Sequence, residues 1–375
     1  MHQFTDAARR LNHQVEVHAL SPLTHSASPT SGAASERLVQ AIKSLTRRYL
    51  HEPKELLWNT HYLPREWRLL VRCQPEVVLV RDYFTAGTYV MVARLLGVPL
   101  VIEVNAPAAE RRLYADEYAR LAIVDHLQKW KLHNCQAITV VSTALKHQLA
   151  VIHRISEERF TVVPNGADVT RFRAQIAPDA EYQAELADAT VMGFVGSFQR
   201  FHGVELLAHM TTEIALVRSN VRFLFVGDGP GLPELKRLTA PLGSRVVFTG
   251  NVPHERIPGL VALLDVGIMP ESNSYGSPMK LLEWMASGKA VVAPGYGPVQ
   301  ELIDHGVHGL VFPPQDADAL VHAVLQLVDQ PTLRSKLGKA AARRVQGELT
   351  WDHNATRVLA TCQQALVRST TGRAA

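Results

Sequence analysis

A phosphate and a sugar hydroxyl need different partners, and residues 275–288 offer both within a few turns of chain. The run Tyr275-Gly276-Ser277-Pro278-Met279-Lys280-Leu281-Leu282-Glu283, closed by Ala286-Ser287-Gly288, reads as a tight turn feeding a short helix. Pro278 suits the first helical turn, where its missing N–H costs nothing. The amides of Met279, Lys280 and Leu281 then lie at the positive end of the helix dipole, and Lys280 adds a full charge. Glu283, one turn further on, can accept hydrogen bonds from sugar hydroxyls. Phosphate at a helix tip with ribose beside it implies a nucleotide. Read without its neighbours, the Lys280/Glu283 pair is an i, i+3 ion pair on a helix surface.

Other candidates fall at the ends of apolar runs. Gly196 and Ser197 close Gly193-Phe-Val-Gly-Ser197, with Arg200 and His202 just beyond. A diphosphate needs cationic or N–H partners, which Arg200 and Lys280 can supply. For Arg200 and His202 the plain alternative is a solvated loop. Gly227-Asp-Gly229-Pro-Gly231 lacks the full spacing and the later acidic residue of a dinucleotide fingerprint. It reads better as a turn beside a nucleotide base, with Asn251 and Val252 after the next run. Glu103 and Asn105 stand where open α/β sheets put ligands. Glu103 there is placed to orient or deprotonate an acceptor hydroxyl, or else to cap the next turn. Arg81 and Asp82, at the end of the preceding run, suit an acidic acceptor or form a solvated loop pair. Pro164-Asn165-Gly166 is a turn in which Asn-Gly readily takes positive φ. Asp316-Ala-Asp318 follows Pro313-Pro314 and opens a helix, so N-capping accounts for it and we assign it no metal.

These residues need a scaffold, and the pattern names one. Short β-branched runs alternate with amphipathic stretches, which argues for α/β architecture with parallel sheets. Strands are expected at Val15–Leu20, Val77–Val80, Leu100–Val104, Ala137–Val141 and Phe160–Val163 in the first half. In the second half they are expected at Met192–Val195, Phe223–Val226, Val246–Thr249, Val266–Met269, Ala290–Ala293 and Leu310–Phe312. Helices are expected at Phe4–Asn12, Val204–Val217, Asp318–Val328 and Thr350–Val367, and a polar loop at Ser21–Ser35. The boundary falls near Gly166–Ala177, giving an acceptor-side domain over 1–168 and a nucleotide-sugar domain over 169–349. The segment 350–375 is expected to return to the first domain.

At 375 residues and 47% hydrophobic content the chain has material for two cores of ordinary size. A net charge of +4 is compatible with peripheral contact to an anionic membrane or with phosphorylated substrates. It is no nucleic-acid footprint, which needs a clustered basic stripe. Cys73, Cys135 and Cys362 are scattered and without metal-ligand spacing, which suggests a reduced, cytoplasmic setting. No apolar run approaches the roughly 18–20 residues that span a bilayer.

The blocks 275–288 and Val162–Phe172 together resemble the signature set of the family-four retaining glycosyltransferases, which have the GT-B fold. Gly193–Ser197, Phe225–Pro230 and Val247–Pro253 match in the same order, and Val101–Pro107 is similar to a subgroup of bacterial polysaccharide-assembly transferases. The resemblance implies two Rossmann-like domains facing a cleft. It implies transfer of a sugar, with retention, from a nucleotide-sugar to a saccharide or lipid-linked acceptor, with no metal or other cofactor. With the residue readings above, it makes Gly196, Ser197, Arg200, His202, Gly229, Asn251, Val252, Tyr275, Gly276, Ser277, Pro278, Met279, Lys280, Leu281 and Glu283 the donor candidates; Glu103, Asn105 and Lys280 are the candidates for the chemistry, with Asn105 standing where many members have histidine, and Arg81 and Asp82 those for the acceptor. Departures are visible. Tyr275 stands where the family has its first glutamate, Ser197 and His202 replace an expected arginine and lysine, and the family's first strand and glycine-rich loop are not seen before Phe4. From that last departure we expect a first domain short of one central strand, with poor transfer. A small-molecule glycosyltransferase, a nucleotide-sugar epimerase and a non-catalytic nucleotide-sugar binder remain open.

Overall fold

The structure, a computed structural model, describes residues 2–18, 57, 59–83, 85–108 and 121–371. The chain divides into two compact units, one of Ala8–Val163 with Thr356–Ala375, the other of Pro164–Ala355 with Met1–Ala7. Both are α/β units built on wholly parallel sheets.

In the first unit β1 (Val78–Arg81), β2 (Leu100–Val104), β3 (Ala137–Val140) and β4 (Phe160–Val162) pair in sequence order. All four start within a residue of the expected positions. Val15–Leu20 is different. Val15–His18 form no strand, while Ala19, Leu20 and the Ser21–Ser35 loop lie outside the described residues. The reason is that this segment buries nothing. Glu16, Val17 and His18 are exposed, and Glu16 accepts hydrogen bonds from Cys73 Sγ and His18 Nε2, both at 3.2 Å. Those three side chains bring possible metal-ligand atoms within 4.8 Å of one another, a grouping that sequence spacing had hidden. Their mutual hydrogen bonds account for it.

The second unit holds β5 (Thr190–Val195), β6 (Val221–Val226), β7 (Val246–Gly250), β8 (Val266–Ile268), β9 (Ala290–Pro294) and β10 (Leu310–Phe312). Their spatial order is β10-β9-β8-β5-β6-β7. In chain order within the unit that is 6-5-4-1-2-3, the doubly wound arrangement, whose strand order reverses between β5 and β8. Such a sheet opens a crevice beyond the carboxyl ends of those two strands. Residues 196–202 leave β5 there and residues 269–278 leave β8 there. The sheet is sealed on both faces by apolar clusters, one around Phe194, Phe223 and Phe225, the other around Leu224, Trp284 and Val291.

One helix matters most. Met279–Ala286 buries Leu281, Leu282, Trp284, Met285 and Ala286. It is seated on β8 by shape, since a Cβ on Gly267 would stand 2.5 Å from the Trp284 ring. Pro278 falls one place earlier than expected, at the N-cap (φ −74°, ψ 110°). Its extended ψ belongs to the incoming loop. At the far end Gly288, at φ +70°, stops the helix and Lys289 N–H returns to Trp284 O at 3.0 Å.

Candidate functional site

The loops beyond β5, β6 and β7 are stitched into one surface. Gly196 N–H donates to Val226 O, Gly227 N–H to Gly250 O, and Gly231 N–H to Phe198 O, all at 2.9–3.0 Å. Gly229, at φ +154°, lies so close to the first loop that a Cβ would stand 1.7 Å from Ser197 O. Gly196, Ser197 and Gly229 thus belong to one wall, with Ser197 exposed. Asn251, exposed, and half-buried Val252 follow directly from the Gly250 turn bonded to it.

The Met279–Ala286 helix starts beside this wall with no side-chain cap, so its first amides have no intrahelical partner. The Lys280 side chain turns away from Glu283, and no ion pair joins them. Nζ lies 4.1 Å from the centroid of the Phe194 ring and 3.1 Å from His202 Nε2. A Cβ on Gly196 would stand 2.8 Å from it, so a larger residue there would displace the Lys280 nitrogen from this position. Burial pushes the Lys280 amine down to about 7, against which Glu283 pulls upward. His202 is no solvated loop residue. Its ring meets Phe194 edge-on at 5.4 Å, and burial beside Lys280 holds its pKa down to about 3. The Arg200 side chain lies outside the described residues.

Burial pushes the Glu283 carboxyl up to about 7, although Arg171 and Lys280 both pull it down. No hydrogen bond reaches it among the described residues. Arg171 was not singled out in the sequence, although it stands in the Val162–Phe172 block. Its guanidinium donates to His254 O at 3.1 Å, and its field falls on Glu283.

The approach to the helix is held by a second set of contacts. Ser277 is buried, its Oγ accepts from Asn165 N–H at 3.1 Å and its carbonyl from Asn165 Nδ2 at 2.8 Å. Gly276 N–H donates to Asn273 Oδ1 at 2.6 Å, and Tyr275 is buried in the same turn. Neither Asn165 nor Gly166 takes the positive φ expected of Asn-Gly. Glycine is needed at 166 for closeness, because a Cβ would lie 2.4 Å from Trp351 N. Asp316 caps its helix as expected, accepting from Ala319 N–H at 2.9 Å.

In the first unit the structure separates Arg81 from Asp82. Arg81, in register with Glu103 on β2, donates to Glu103 Oε1 at 3.1 Å through Nε and 2.8 Å through a terminal nitrogen. Asn105 Nδ2 reaches the same oxygen at 3.1 Å, while its own Oδ1 is buried without a partner. Asp82 turns inward, with 2% of its side chain exposed, and pairs with Lys131, whose side chain is 0% exposed. Gln128 Nε2 donates to Asp82 at 2.8 Å and Tyr89 at 3.3 Å. Asp82 is therefore not a solvated loop charge, and Lys131 and Gln128, unremarked in the sequence, complete its setting.

Residues 1–171 match the family described as Glycosyltransferase Family 4, and residues 189–330 match Glycosyl transferases group 1. An alpha-D-kanosaminyltransferase of Streptomyces kanamyceticus is 26% identical over 265 residues, 67% of this chain and 67% of that protein. A 2-deoxystreptamine glucosyltransferase of the same organism is 27% identical over 249 residues, 64% of each chain. Among solved structures, HepE of Anabaena in complex with UDP superposes with a TM-score of 0.66 at 19% identity, over 79% of this chain and 81% of that one. Sucrose-phosphate synthase of Thermosynechococcus elongatus gives 0.64 at 22% identity, over 82% of this chain and 78% of that one. At such identities the two structures show the fold alone, that of the GT-B glycosyltransferases; the two family matches show a glycosyltransferase with a Family 4 segment followed by a group 1 segment.

Proposed function

We propose that this protein moves a hexosyl group from a nucleotide-sugar to a hydroxyl of a saccharide or lipid-linked acceptor, with retention of configuration, in the assembly of a polysaccharide or glycoconjugate. The observation that carries the reading is the cluster at the β5/β8 switch point. There an uncapped helix N-terminus, the Lys280 nitrogen and a Glu283 carboxyl with no hydrogen bond among the described residues lie within the first turn and a half of one helix. Diphosphate on the amides and Lys280, with ribose on Glu283, uses all three. The leaving diphosphate is stabilised where its charge develops, which lowers the barrier more than ground-state binding would. Retention is taken from the family resemblance, and the reading involves no metal. Two relatives named for sugar transfer, at 26% and 27% identity, support it. On the first unit, the Arg81–Glu103–Asn105 group is the acceptor candidate, with Arg81 for an acidic group and Glu103 for the hydroxyl.

Peripheral contact with a membrane has its own support. In the helix over 59–73, Leu63, Trp67 and Val71 are 38%, 42% and 48% exposed at four-residue spacing, with exposed Arg65 and Arg68 between them and Arg72 just after. An apolar stripe with a basic flank suits an anionic lipid surface. No helix among the described residues is long and apolar enough to cross a membrane.

Incubation with labelled nucleotide-sugars and oligosaccharide or lipid-linked acceptors tests the reading. A new glycoside with release of the nucleoside diphosphate is expected. An isomerised sugar would make it an epimerase, and binding without turnover a non-catalytic binder.

A further inference from the structure

His202 is fixed by the backbone, and this decides what it can offer Lys280. Gln199 N–H donates to His202 Nδ1 at 3.2 Å, inside a capping box that also holds the Arg200–His202 turn. A backbone N–H can only donate, so Nδ1 carries no hydrogen. An imidazole bare at both nitrogens would be an anion, so the hydrogen sits on Nε2. Nε2 is 3.1 Å from Lys280 Nζ. An ammonium there would set two donors face to face, whereas a neutral amine accepts the Nε2–H through its lone pair.

The rest of the surroundings agree. From β5 and its loop, Lys280 meets the Phe194 ring and Gly196, both uncharged. From the 200–202 turn it meets neutral His202, and from its own helix it feels Glu283 without an ion pair.

We propose that Lys280 is an uncharged amine, held by the His202 Nε2–H, until a nucleoside diphosphate binds, and that it then takes one proton from solvent, making donor binding proton-linked. No covalent bond is made or broken in the donor. Nζ gains the proton and turns to a phosphate oxygen. His202 keeps its Nε2 hydrogen, loses its acceptor and becomes a second donor to the same phosphate. His202 is thus a positioning residue that sets the charge of Lys280. The inference rests on the donor-site reading above.

Burial alone already brings the free amine to about 7, which sets the pH range of the test. A ligand that binds the protonated form loses affinity above that pH, by about tenfold per pH unit. The experiment is calorimetric titration of the full chain with UDP-glucose, and separately GDP-mannose, near pH 8 in two buffers of different ionisation heat. The expected result near pH 8 is close to one proton taken up per sugar nucleotide bound, and affinity that falls above about pH 7, apart from a separate loss at lower pH as the Glu283 carboxyl, raised to about 7, takes up its own proton. Lys280→Arg stays charged, so it should abolish both the uptake and the fall above pH 7. His202→Gln can turn its amide oxygen to an ammonium, so the fall should move to higher pH. Binding with no proton exchanged in the wild type overturns the linkage and leaves the donor site standing. An unmoved profile in His202→Gln overturns the role of His202. If neither sugar nucleotide binds, the donor-site reading falls and this inference with it.

Discussion

Near the carboxyl ends of β1 and β5 stand two lysines, Lys131 fully buried and Lys280 half-buried, and the protein treats the two in opposite ways. Beyond β1, Lys131 is fully answered. It has the Asp82 carboxylate, the Tyr83 carbonyl at 2.8 Å, and around them Gln128, whose Oε1 receives His153 Nε2 at 3.1 Å. Beyond β5, Lys280 has a ring face and an imidazole, and among the described residues no carboxylate pairs with it, Glu283 acting only through its field. A cation whose partners are all protein groups is part of the fold. A lysine left with neutral partners is held ready, as an amine, for an anion from outside.

The largest expected effect breaks the first of these. Lys131→Met leaves Asp82 buried without its counter-charge, which should cost about 3–5 kcal/mol of stability. Denaturant unfolding checks it, and adding Asp82→Leu should restore part of the loss. A single mutant as stable as the parent would mean that Lys131 and Lys280 are not different in kind.

Next in size is Glu283→Ala. Losing a charged acceptor for ribose should cost about 1.5–3 kcal/mol, hence tenfold or more in donor affinity. Unchanged affinity for the nucleotide by calorimetry would remove Glu283 from the site.

Lys280→Met should do what Lys131→Met cannot, weakening the donor while stabilising the fold. The sign follows from the direction of the shift. With the folded value about 7 and the ordinary one 10.5, the unfolded chain binds more protons between these pH values, so stability rises with pH there. The cost of the buried ammonium is therefore full below about pH 7 and fades above it. Glu283, raised to about 7, adds a cost of its own that grows as pH rises from 4.5. Removing the Lys280 ammonium should gain about 1–2 kcal/mol near pH 6, somewhat under half of that near pH 9 and nothing above about pH 10.5, seen as a larger rise in melting temperature at the lower pH.

The difference between the two lysines was only half legible in the sequence. Strands β5 to β10 were, because core strands of a parallel sheet are apolar runs bounded by turn residues. Val15–Leu20 has the same look, but Val15–His18 bury no face, and only burial turns such a run into a strand. The helix tip at 278–281 was legible from Pro278 and the following glycine-bounded strand. That Lys280 leaves Glu283 for His202 and Phe194 was not, since those partners come from another strand and its loop, and helical spacing shows only neighbours on one helix. Lys131 is hidden in the sequence for a related reason. A lysine in a helix reads as a surface residue until the carboxylate of another element is placed against it. Arg171 lay inside a quoted motif, yet nothing in its spacing points to Glu283.

The smallest expected effect sharpens the comparison at the surface. Arg81 and Asp82 are adjacent in sequence, but the Arg81–Glu103 pair is 47% and 25% exposed, where Asp82 and Lys131 are dry. Water screens the exposed pair and competes for both partners, so Arg81→Gln should change stability by less than about 1 kcal/mol. If Arg81 meets an acidic acceptor, the same substitution should raise the acceptor KM and leave donor affinity as it was. Glu103→Gln separates the two roles. It keeps the shape, loses the charge that could take a proton from the acceptor hydroxyl, and should lower kcat more than it raises KM. Equal, small changes in every constant for both variants would make the Arg81–Glu103–Asn105 group a surface tie between β1 and β2, and would move the acceptor to other residues.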